Sequence, residues 1–343
     1  MPDYYYLLAF FATILATATL RPVAGKIGLL DIPGGRKTHI GATPLVGGLG
    51  IFIGLLSISI ISVDVINAYA PLLSLSALIV FIGVIDDIKD LRVIVRMTGH
   101  TLVAIAMAIV AGIQLESFGN ILLGEEIALN SFALPVTVFA TVGVINAINM
   151  SDGIDGLSGT LVVVALICIG IVAGSKADFV TVSFIALLSA CILAFLTMNF
   201  RRPWNQKALV YLGDAGSTML GFMLAWLLIE SSQGEHALFP PVYALWFLAV
   251  PLFDTVNLLI KRPIHGFSPF KPGVDHLHHA LLRRGFTVQQ VVLILAASSL
   301  ALAGIGLTGY FWQASDSVMF QLFLGLFLLY FLFCDRLDPQ HQH

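Results

Sequence analysis

Eleven apolar segments, most of them long enough to cross a lipid bilayer, follow one another along this chain of 343 residues. A transmembrane helix needs about 20 predominantly apolar residues. The segments lie roughly at residues 4–20, 45–62, 69–85, 98–114, 132–148, 158–174, 179–198, 213–229, 238–260, 289–310 and 317–334. The pattern predicts an all-α integral membrane protein in which residues 1–343 form a single polytopic domain.

The small number of charged residues excludes several other classes of protein. They make up 11% of the sequence, whereas a soluble domain carries about 25%, so this chain cannot cover a water-exposed surface with charge. A soluble globular enzyme and a disordered chain are excluded for this reason. The net charge of −3, without a basic domain or stripe, also excludes a nucleic-acid-binding protein.

The basic residues orient the predicted helices. With eleven spans, 16 of the 17 Lys and Arg residues fall on one side of the membrane, and only Lys176 falls on the other. Cytoplasmic loops carry the excess of Lys and Arg. We therefore expect the N-terminus to lie outside and the C-terminus to lie in the cytoplasm.

Polar residues gather at the cytosolic ends of the predicted helices. A transporter or pump carries ionisable groups near the middle of the membrane, but these spans are nearly free of charge. The notable exceptions, Asp254 and His100, lie near cytosolic ends. The distribution predicts chemistry at the inner membrane surface.

The first polar cluster consists of Asp86, Asp87 and Asp90, at the end of the third segment. Spacings of three and four residues put Asp90 on the same helix face as the other two. Three neighbouring carboxylates suit metal binding or proton transfer. A solvated acidic turn is the alternative interpretation.

The second cluster, at the end of the fifth segment, reads Asn146-Ala-Ile-Asn149-Met-Ser-Asp152-Gly-Ile-Asp155-Gly. Its oxygen donors suit Mg²⁺ or Mn²⁺ rather than zinc, although Asn, Asp and Gly are also typical of an interhelical turn.

The third cluster, Tyr211-Leu-Gly213-Asp214-Ala-Gly216-Ser217, opens the eighth segment. A helix N-terminus there favours a phosphate, and Asp214 is equally explained as a helix cap.

A fourth cluster is basic and lies in the inner loop of residues 261–288. It contains Arg262, His276, His278 and His279. We expect a short amphipathic helix on the membrane surface, running from an Asp275 cap to Gly285, whose side chains bind a phosphate-rich substrate. Attraction to anionic lipid is the alternative.

The fifth cluster, Arg36-Lys37-Thr-His39, precedes Gly47-Gly48. Its basic residues also serve as topology signals, and the glycine pair is typical of close helix packing. Taken together, the carboxylates and amides suit a divalent cation, and the Arg, Lys and His side chains suit phosphates. The five clusters indicate phosphoryl transfer at the cytosolic surface, with a lipid as one substrate.

These motifs, in this order, resemble those of the polyprenyl-phosphate N-acetylhexosamine-1-phosphate transferase superfamily. The resemblance runs from about Asp31 to Arg284 and rests on Asp-Asp-x-x-Asp, Asn-x-x-Asn-x-x-Asp-Gly-x-Asp-Gly, Gly-Asp-x-Gly-Ser and the His-rich last inner loop. The His-x-His-His form of that loop is similar to the WecA branch. The branch that uses UDP-MurNAc-pentapeptide usually has three consecutive histidines and ten spans.

The resemblance implies transfer of GlcNAc-1-phosphate from UDP-GlcNAc to undecaprenyl phosphate, giving undecaprenyl-pyrophosphoryl-GlcNAc and UMP. It implies the first membrane step of a surface polysaccharide pathway (O-antigen or common-antigen type) in the bacterial inner (cytoplasmic) membrane. Mg²⁺ or Mn²⁺ would bind Asp214 and Asn149, and the implied catalytic residues are Asp86, Asp87 and Asp90. The residues implied in substrate binding are Asp152, Asp155, Tyr211, Arg262, His276, His278, His279, Lys37 and His39.

Several alternatives stay open at this point. Within the same chemistry, the donor is UDP-GlcNAc, UDP-MurNAc-pentapeptide or UDP-GalNAc, and a lipid-linked sugar transporter is the alternative of a different class. Asp87 acts as a base, as a nucleophile that forms an aspartyl-phosphate, or as a positioning group. The last role gains weight because a phosphate monoester with a second pKa of about 6 is already mostly ionised at pH 7. A homodimer is also left open.

Overall fold

A computed structural model describes residues 2–32, 41–122, 124–201, 207–264, 266–268, 273 and 275–334. Within these residues the chain forms thirteen α-helices, and a 3₁₀ turn at Asn130–Phe132 leads into the fifth. The helices are α1 (Tyr4–Ile27), α2 (Gly47–Ile61), α3 (Val63–Lys89), α4 (Val93–Val110), α5 (Ala133–Met150), α6 (Leu157–Ser175), α7 (Phe179–Asn199), α8 (Gly213–Glu230), α9 (Val242–Phe247), α10 (Ala249–Ile264), α11 (Leu277–Arg283), α12 (Val288–Phe311) and α13 (Asp316–Phe333). Two short antiparallel strands, β1 (Leu30–Asp31) and β2 (Thr43–Pro44), pair between α1 and α2.

The predicted apolar segments lie largely in helical structure. Eight of the described helices are long and apolar enough to cross a membrane, namely α1, α3, α4, α5, α6, α7, α12 and α13. The other three predicted segments fall on α2, on α8 and on the pair α9–α10. The protein is therefore an all-α, multi-pass membrane protein.

The ninth predicted segment, residues 238–260, is not the continuous helix that its apolar composition indicates. It divides into α9 and α10 at Leu248, whose backbone leaves the helical conformation with φ −108° and ψ 11°. Pro251 is the physical reason, because proline has no N–H to donate to the fourth preceding carbonyl and its ring clashes with that carbonyl. The helix that carries Asp254 therefore begins afresh at Ala249.

Helix α8 forms the centre of the molecule. Every residue from Ala215 to Ile229 is buried, and the helix packs against α2, α3, α5 and α6. A helix that is apolar on all sides is expected to be surrounded by protein. The enclosed α8 is thus the element on which α2, α3, α5 and α6 pack.

Glycines allow α2 and α3 to approach α8 closely at one end of the bundle. We call this the polar end; it is where α3 and α5 end and α8 begins. A Cβ on Gly48 would lie 2.2 Å from the Gly216 Cα, and one on Gly83 would lie 2.3 Å from the Ala215 Cα. The predicted close packing of the glycine pair is confirmed by these contacts. The amides of Gly47 and Gly48 also donate to the carbonyls of Tyr211 and Leu212, both at 2.9 Å.

Candidate active site

Asp87 joins the end of α3 to the beginning of α8. Its Oδ1 accepts a hydrogen bond from the Asp214 amide at 2.8 Å, and its Oδ2 accepts one from the Ala215 amide at 3.1 Å. The first amides of a helix have no partner inside the helix, so a carboxylate from α3 satisfies two of them. The contact is close enough that a Cβ on Gly213, whose φ is +76°, would lie 2.7 Å from the Asp87 Oδ2.

Asp214 and Asn149, predicted as metal ligands from separate motifs, are in direct contact. The Asn149 Nδ2 donates to the Asp214 Oδ1 at 2.6 Å and to the Ser217 Oγ at 2.9 Å. The side chain of Asp214 is 32% exposed, so its carboxylate is accessible from the polar end. The end of α5 and the start of α8 therefore form one acidic site.

Asp86 has a different environment from its neighbour Asp87. It is buried, and its two oxygens accept from the Leu91 amide and from the Arg96 Nη1, both at 2.8 Å. The same Arg96 nitrogen lies 3.8 Å from the Asp214 Oδ2. Asp86 therefore holds the α3–α4 turn and a guanidinium beside the site.

Arg96 was not among the residues predicted for the site. From the sequence alone, Arg96 is only one of the basic residues that orient the chain. The predicted fourth segment begins at residue 98, so Arg96 falls in the loop before it. The helix itself starts at Val93. A charge in the first turn of an apolar helix, close after an acidic motif, is the signal that could have revealed it.

The spacing of Asp90 predicts that it shares a helix face with Asp86 and Asp87. The structure shows that it does not. Helix α3 ends at Lys89, and Asp90 is its left-handed C-cap with φ 49° and ψ 69°. It is exposed, and it makes no side-chain hydrogen bond to the described residues of the site. Helical spacing predicts side-chain direction only while the helix continues.

The loop between α5 and α6 brings Asp152 and Asp155 to the same end. Burial raises the pKa of Asp152 well above its ordinary value, and the charges of Asp214 and Asp87 raise it further. Asp155 is buried and accepts from the Arg201 Nε at 2.5 Å. The loop therefore adds one carboxyl group whose charged form is disfavoured beside the acidic site and one carboxylate that is paired with an arginine.

Tyr211 lies beside Asp155, in the segment that enters α8. Burial raises the pKa of its hydroxyl, and the nearby charge of Asp155 raises it further. The Tyr211 amide donates to the Pro44 carbonyl at 2.8 Å. Strand β2 and the start of α2 thus hold the backbone of Tyr211 beside the loop that carries Asp152 and Asp155.

The histidines predicted for substrate binding lie around α11. His278 packs on Gly153, so a Cβ on that glycine would lie 2.2 Å from the His278 Nε2. Burial lowers the pKa of His278 to about 3, and the neighbouring His279 adds to this effect. Burial likewise lowers the pKa of His279, whose ring centroid lies 4.2 Å from that of His278. His276 is the N-cap of α11, in place of the predicted Asp275.

Arg262 is buried and forms an ion pair with Asp275. Its Nε donates to the Asp275 Oδ2 at 2.8 Å and its Nη2 to the Asp275 Oδ1 at 2.7 Å, in a bidentate pair. Burial alone would raise the pKa of Asp275, but Arg262 holds it below its ordinary value. This pair joins the end of α10 to the segment that precedes α11. The predicted Lys37 and His39 lie outside the described residues.

The donor set of the acidic site suits a hard divalent cation. Carboxylate and amide oxygens are the ligands of Mg²⁺, which commonly takes one or two protein carboxylates together with substrate phosphates and water. In the described part of the chain, no group of three or more His, Cys, Asp or Glu side chains is arranged to hold a metal. The site fits a cation shared with a phosphate substrate better than a closed protein cage.

Fold and site together define a multi-pass membrane protein with an acidic site at one end of its helices. Residues 69–232 match glycosyl transferase family 4. Over 326 residues, the chain is 38% identical to the undecaprenyl-phosphate alpha-N-acetylglucosaminyl 1-phosphate transferase of Yersinia pestis, covering 95% of this chain and 88% of that protein.

Two further relatives carry the same name. The Escherichia coli (strain K12) protein is 37% identical over 94% of this chain and 88% of its own length, and the Haemophilus influenzae protein is 38% identical over 95% and 91%. The chain belongs to glycosyl transferase family 4, among the polyprenyl-phosphate N-acetylhexosamine-1-phosphate transferases. The resemblance noted from its motifs is confirmed.

Proposed function

We propose that this protein transfers GlcNAc-1-phosphate from UDP-GlcNAc to undecaprenyl phosphate. An oxygen of the lipid phosphate attacks the β-phosphorus of the sugar nucleotide, the bond from that phosphorus to the bridging oxygen breaks, and UMP leaves. The products are UMP and undecaprenyl-pyrophosphoryl-GlcNAc. The observation that carries the proposal is the meeting of Asp87, Asn149 and Asp214 from three helices at the start of α8. The names of the relatives support the lipid acceptor and the sugar.

Asp87 is better suited to positioning than to covalent catalysis. Both of its oxygens already accept amide hydrogen bonds from α8, which makes the carboxylate a poorer nucleophile. The lipid phosphate, with a second pKa of about 6, needs no base at pH 7 because it is mostly ionised. Asp87 therefore holds the N-terminus of α8 in place by binding two of its first amides.

Mg²⁺, or Mn²⁺, is the cation that we propose for Asp214 and Asn149. When bound, it would neutralise charge on the pyrophosphate that is being cleaved. Asp214 supplies an accessible carboxylate, and Asn149 supplies an amide fixed at the end of α5. Arg96 lies on the other side of Asp214 and adds a permanent positive charge beside the same phosphates.

The donor substrate is proposed to lie between the α5–α6 loop and α11. Asp152, Asp155 and Tyr211 line the uridine side, where the aromatic ring can stack on the base. His276, His278 and His279 face the phosphates or the sugar. Because its pKa is lowered to about 3, His278 is neutral at pH 7 and acts by hydrogen bonding. Arg262 anchors this loop through Asp275 rather than meeting the substrate directly.

The alanine variant of Gly153 tests whether His278 must rest on this loop. The added Cβ would lie 2.2 Å from the His278 Nε2 and push the ring away. Since a misplacement of about 1 Å can cost about 100-fold in rate, we expect kcat/KM for UDP-GlcNAc to fall by about 10- to 100-fold. Gly304→Ala, where a Cβ meets nothing within 4 Å, is the control. Wild-type kinetics in Gly153→Ala would show that the contact is dispensable.

The membrane topology is part of the proposal. We propose eleven spans with the N-terminus outside, the C-terminus in the cytoplasm and the polar end facing the cytosol of a bacterium, in its inner membrane. The product would enter a surface polysaccharide pathway of the O-antigen or common-antigen type. The asymmetric distribution of Lys and Arg supports this orientation. A homodimer stays compatible with the proposal.

The decisive experiment measures UMP release by the purified protein. Undecaprenyl phosphate and Mg²⁺ are supplied with UDP-GlcNAc, UDP-GalNAc or UDP-MurNAc-pentapeptide in parallel reactions. We expect UMP with UDP-GlcNAc, loss of activity in EDTA, and recovery on adding Mg²⁺ or Mn²⁺. UMP from another donor alone would change the substrate assignment. No UMP with any donor would overturn the enzymatic proposal in favour of a lipid-linked sugar transporter.

A further inference from the structure

Asp254 is a buried carboxylate on α10 that the proposed reaction does not use. Its Oδ2 lies 2.7 Å from the His276 Nδ1, and its Oδ1 accepts from the Leu277 amide at 2.9 Å. The Tyr330 hydroxyl of α13 donates to the same Oδ1 at 3.2 Å. Only 7% of the residue is exposed. A carboxylate in this position, with donors from two other elements, is well placed to hold α11.

The contact with His276 selects one tautomer of the imidazole ring. An ionised carboxylate only accepts hydrogen bonds, so the Nδ1 that faces it carries the proton. The Nε2 of the neutral ring is then the acceptor, and in the charged ring it is a second donor. The partner of one ring nitrogen commonly sets the chemistry of the other in this way. Asp254 therefore determines what His276 presents on its far side.

Asp254 also fixes where α11 begins. Leu277 is the first residue of α11, and its amide is one of those without a partner inside the helix. Because the same carboxylate binds this amide and the ring of the preceding residue, it sets both the start of the helix and the direction of the ring. The His276 ring lies nearly parallel to that of His278, at 11° and a centroid distance of 5.6 Å.

A second contact between α10 and α13 supports this arrangement. The Lys261 Nζ donates to the Phe331 carbonyl at 2.9 Å, one residue beyond Tyr330. The bidentate Arg262–Asp275 pair attaches the segment before α11 to α10, and the Lys261 bond joins α10 in turn to α13. The path from Asp254 to the site then runs through His276 and His278 to Gly153 in the α5–α6 loop.

We infer that Asp254 is a positioning residue for the sugar-nucleotide donor, acting through the orientation and tautomer of His276. The inference rests on the proposed function. It predicts that loss of the carboxylate weakens the use of UDP-GlcNAc while the use of undecaprenyl phosphate is unchanged. Asn is the informative replacement because it keeps the volume of Asp but turns one acceptor oxygen into an NH₂ group facing hydrogen-bond donors.

The experiment is a double-mutant cycle with Asp254→Asn and His276→Ala, using UMP release at varied concentrations of each substrate. Partners that orient an active group are commonly worth about 10- to 100-fold. We therefore expect Asp254→Asn to raise the KM for UDP-GlcNAc by about that factor and to leave the KM for undecaprenyl phosphate unchanged. In the His276→Ala background, Asp254→Asn should add less than about twofold. Tyr330→Phe keeps the carboxylate and its contact with His276, and it serves as the control.

Each outcome separates the inference from the proposed function. Absence of UMP release by the wild-type protein would remove the proposed function itself. An active wild type with equal effects of Asp254→Asn in both backgrounds would overturn the inference, as would a rise in both KM values accompanied by a lower melting temperature. Those results would assign Asp254 to helix packing alone. A donor-specific effect that vanishes without His276 supports positioning.

Discussion

Asp214→Asn is expected to lower kcat by about 100- to 1,000-fold, the cost typical of removing one preorganised electrostatic group from an active site. The carboxylate is partly exposed at the start of α8 and contacts Asn149. Asparagine keeps its shape and can still accept from the Asn149 amide, so we expect an unchanged melting temperature. The charge that would hold a cation is lost, so higher Mg²⁺ should restore activity only in part. UMP release and thermal unfolding in detergent are the measurements.

The control for this variant is Asp64→Asn. Asp64 is an exposed carboxylate in the first turn of α3, at the end of that helix away from Asp87. Its activity should match the wild type.

Asp87→Asn should behave differently from Asp214→Asn, because both Asp87 oxygens accept hydrogen bonds from amides of α8. Facing an amide NH₂ toward one of those donors costs about 1–3 kcal/mol, so Asp87→Asn should lower both activity and melting temperature. Full activity in Asp214→Asn would contradict the site assignment.

Gly48→Ala is expected to destabilise the protein by about 1–3 kcal/mol or more, the usual cost of overpacking. Its Cβ would lie 2.2 Å from the Gly216 Cα and 2.3 Å from the Gly216 N. The obstacle is backbone of the central helix, which cannot turn aside like a flexible side chain. Because the amide of Gly48 also bonds to the Leu212 carbonyl, the shift should move the start of α8 and lower turnover. The melting temperature and UMP release check both effects.

Gly143→Ala is the matched control for this prediction. Gly143 lies in α5, and a Cβ there meets nothing within 4 Å. Alanine is favoured over glycine inside a helix by about 0.5–1 kcal/mol, so this variant should be as stable as the wild type or slightly more so. Equal melting temperatures for Gly48→Ala and Gly143→Ala would show that α2 and α8 are not held together by this close approach.

The acidic motifs show how far spacing alone can predict a site. Their positions at the ends of different apolar segments predict that they share one face of the membrane, and Asn149 and Asp214 do meet at 2.6 Å. Spacing does not distinguish Asp86, bound to Arg96, from Asp87, bound to the amides of α8. It also places Asp90 on a face of α3, although that helix ends at Lys89. These differences depend on where a helix ends, which local composition specifies poorly.

The basic and histidine residues show a second limit. Arg262 pairs with Asp275, which lies beyond a loop, and His276 contacts Asp254, which lies on another helix. A sequence pattern indicates that such residues are available for binding. It does not tell which of them are already paired with other side chains of the protein. Arg262 is bound by Asp275, and the orientation of His276 depends on a carboxylate from another helix.

The sequence by itself determined that this is a multi-pass helical membrane protein, and it predicted which motifs would carry phosphate chemistry. Apolar length and scarce charge leave a chain no other way to satisfy its backbone and cover its surface. Only the tertiary structure decided that Asp87 caps α8, that Asp214 is accessible at the polar end, and that Asp254 holds α11. The reason is that each of these roles is set by a hydrogen-bond donor from a different helix, and such pairings exist only once the helices have packed.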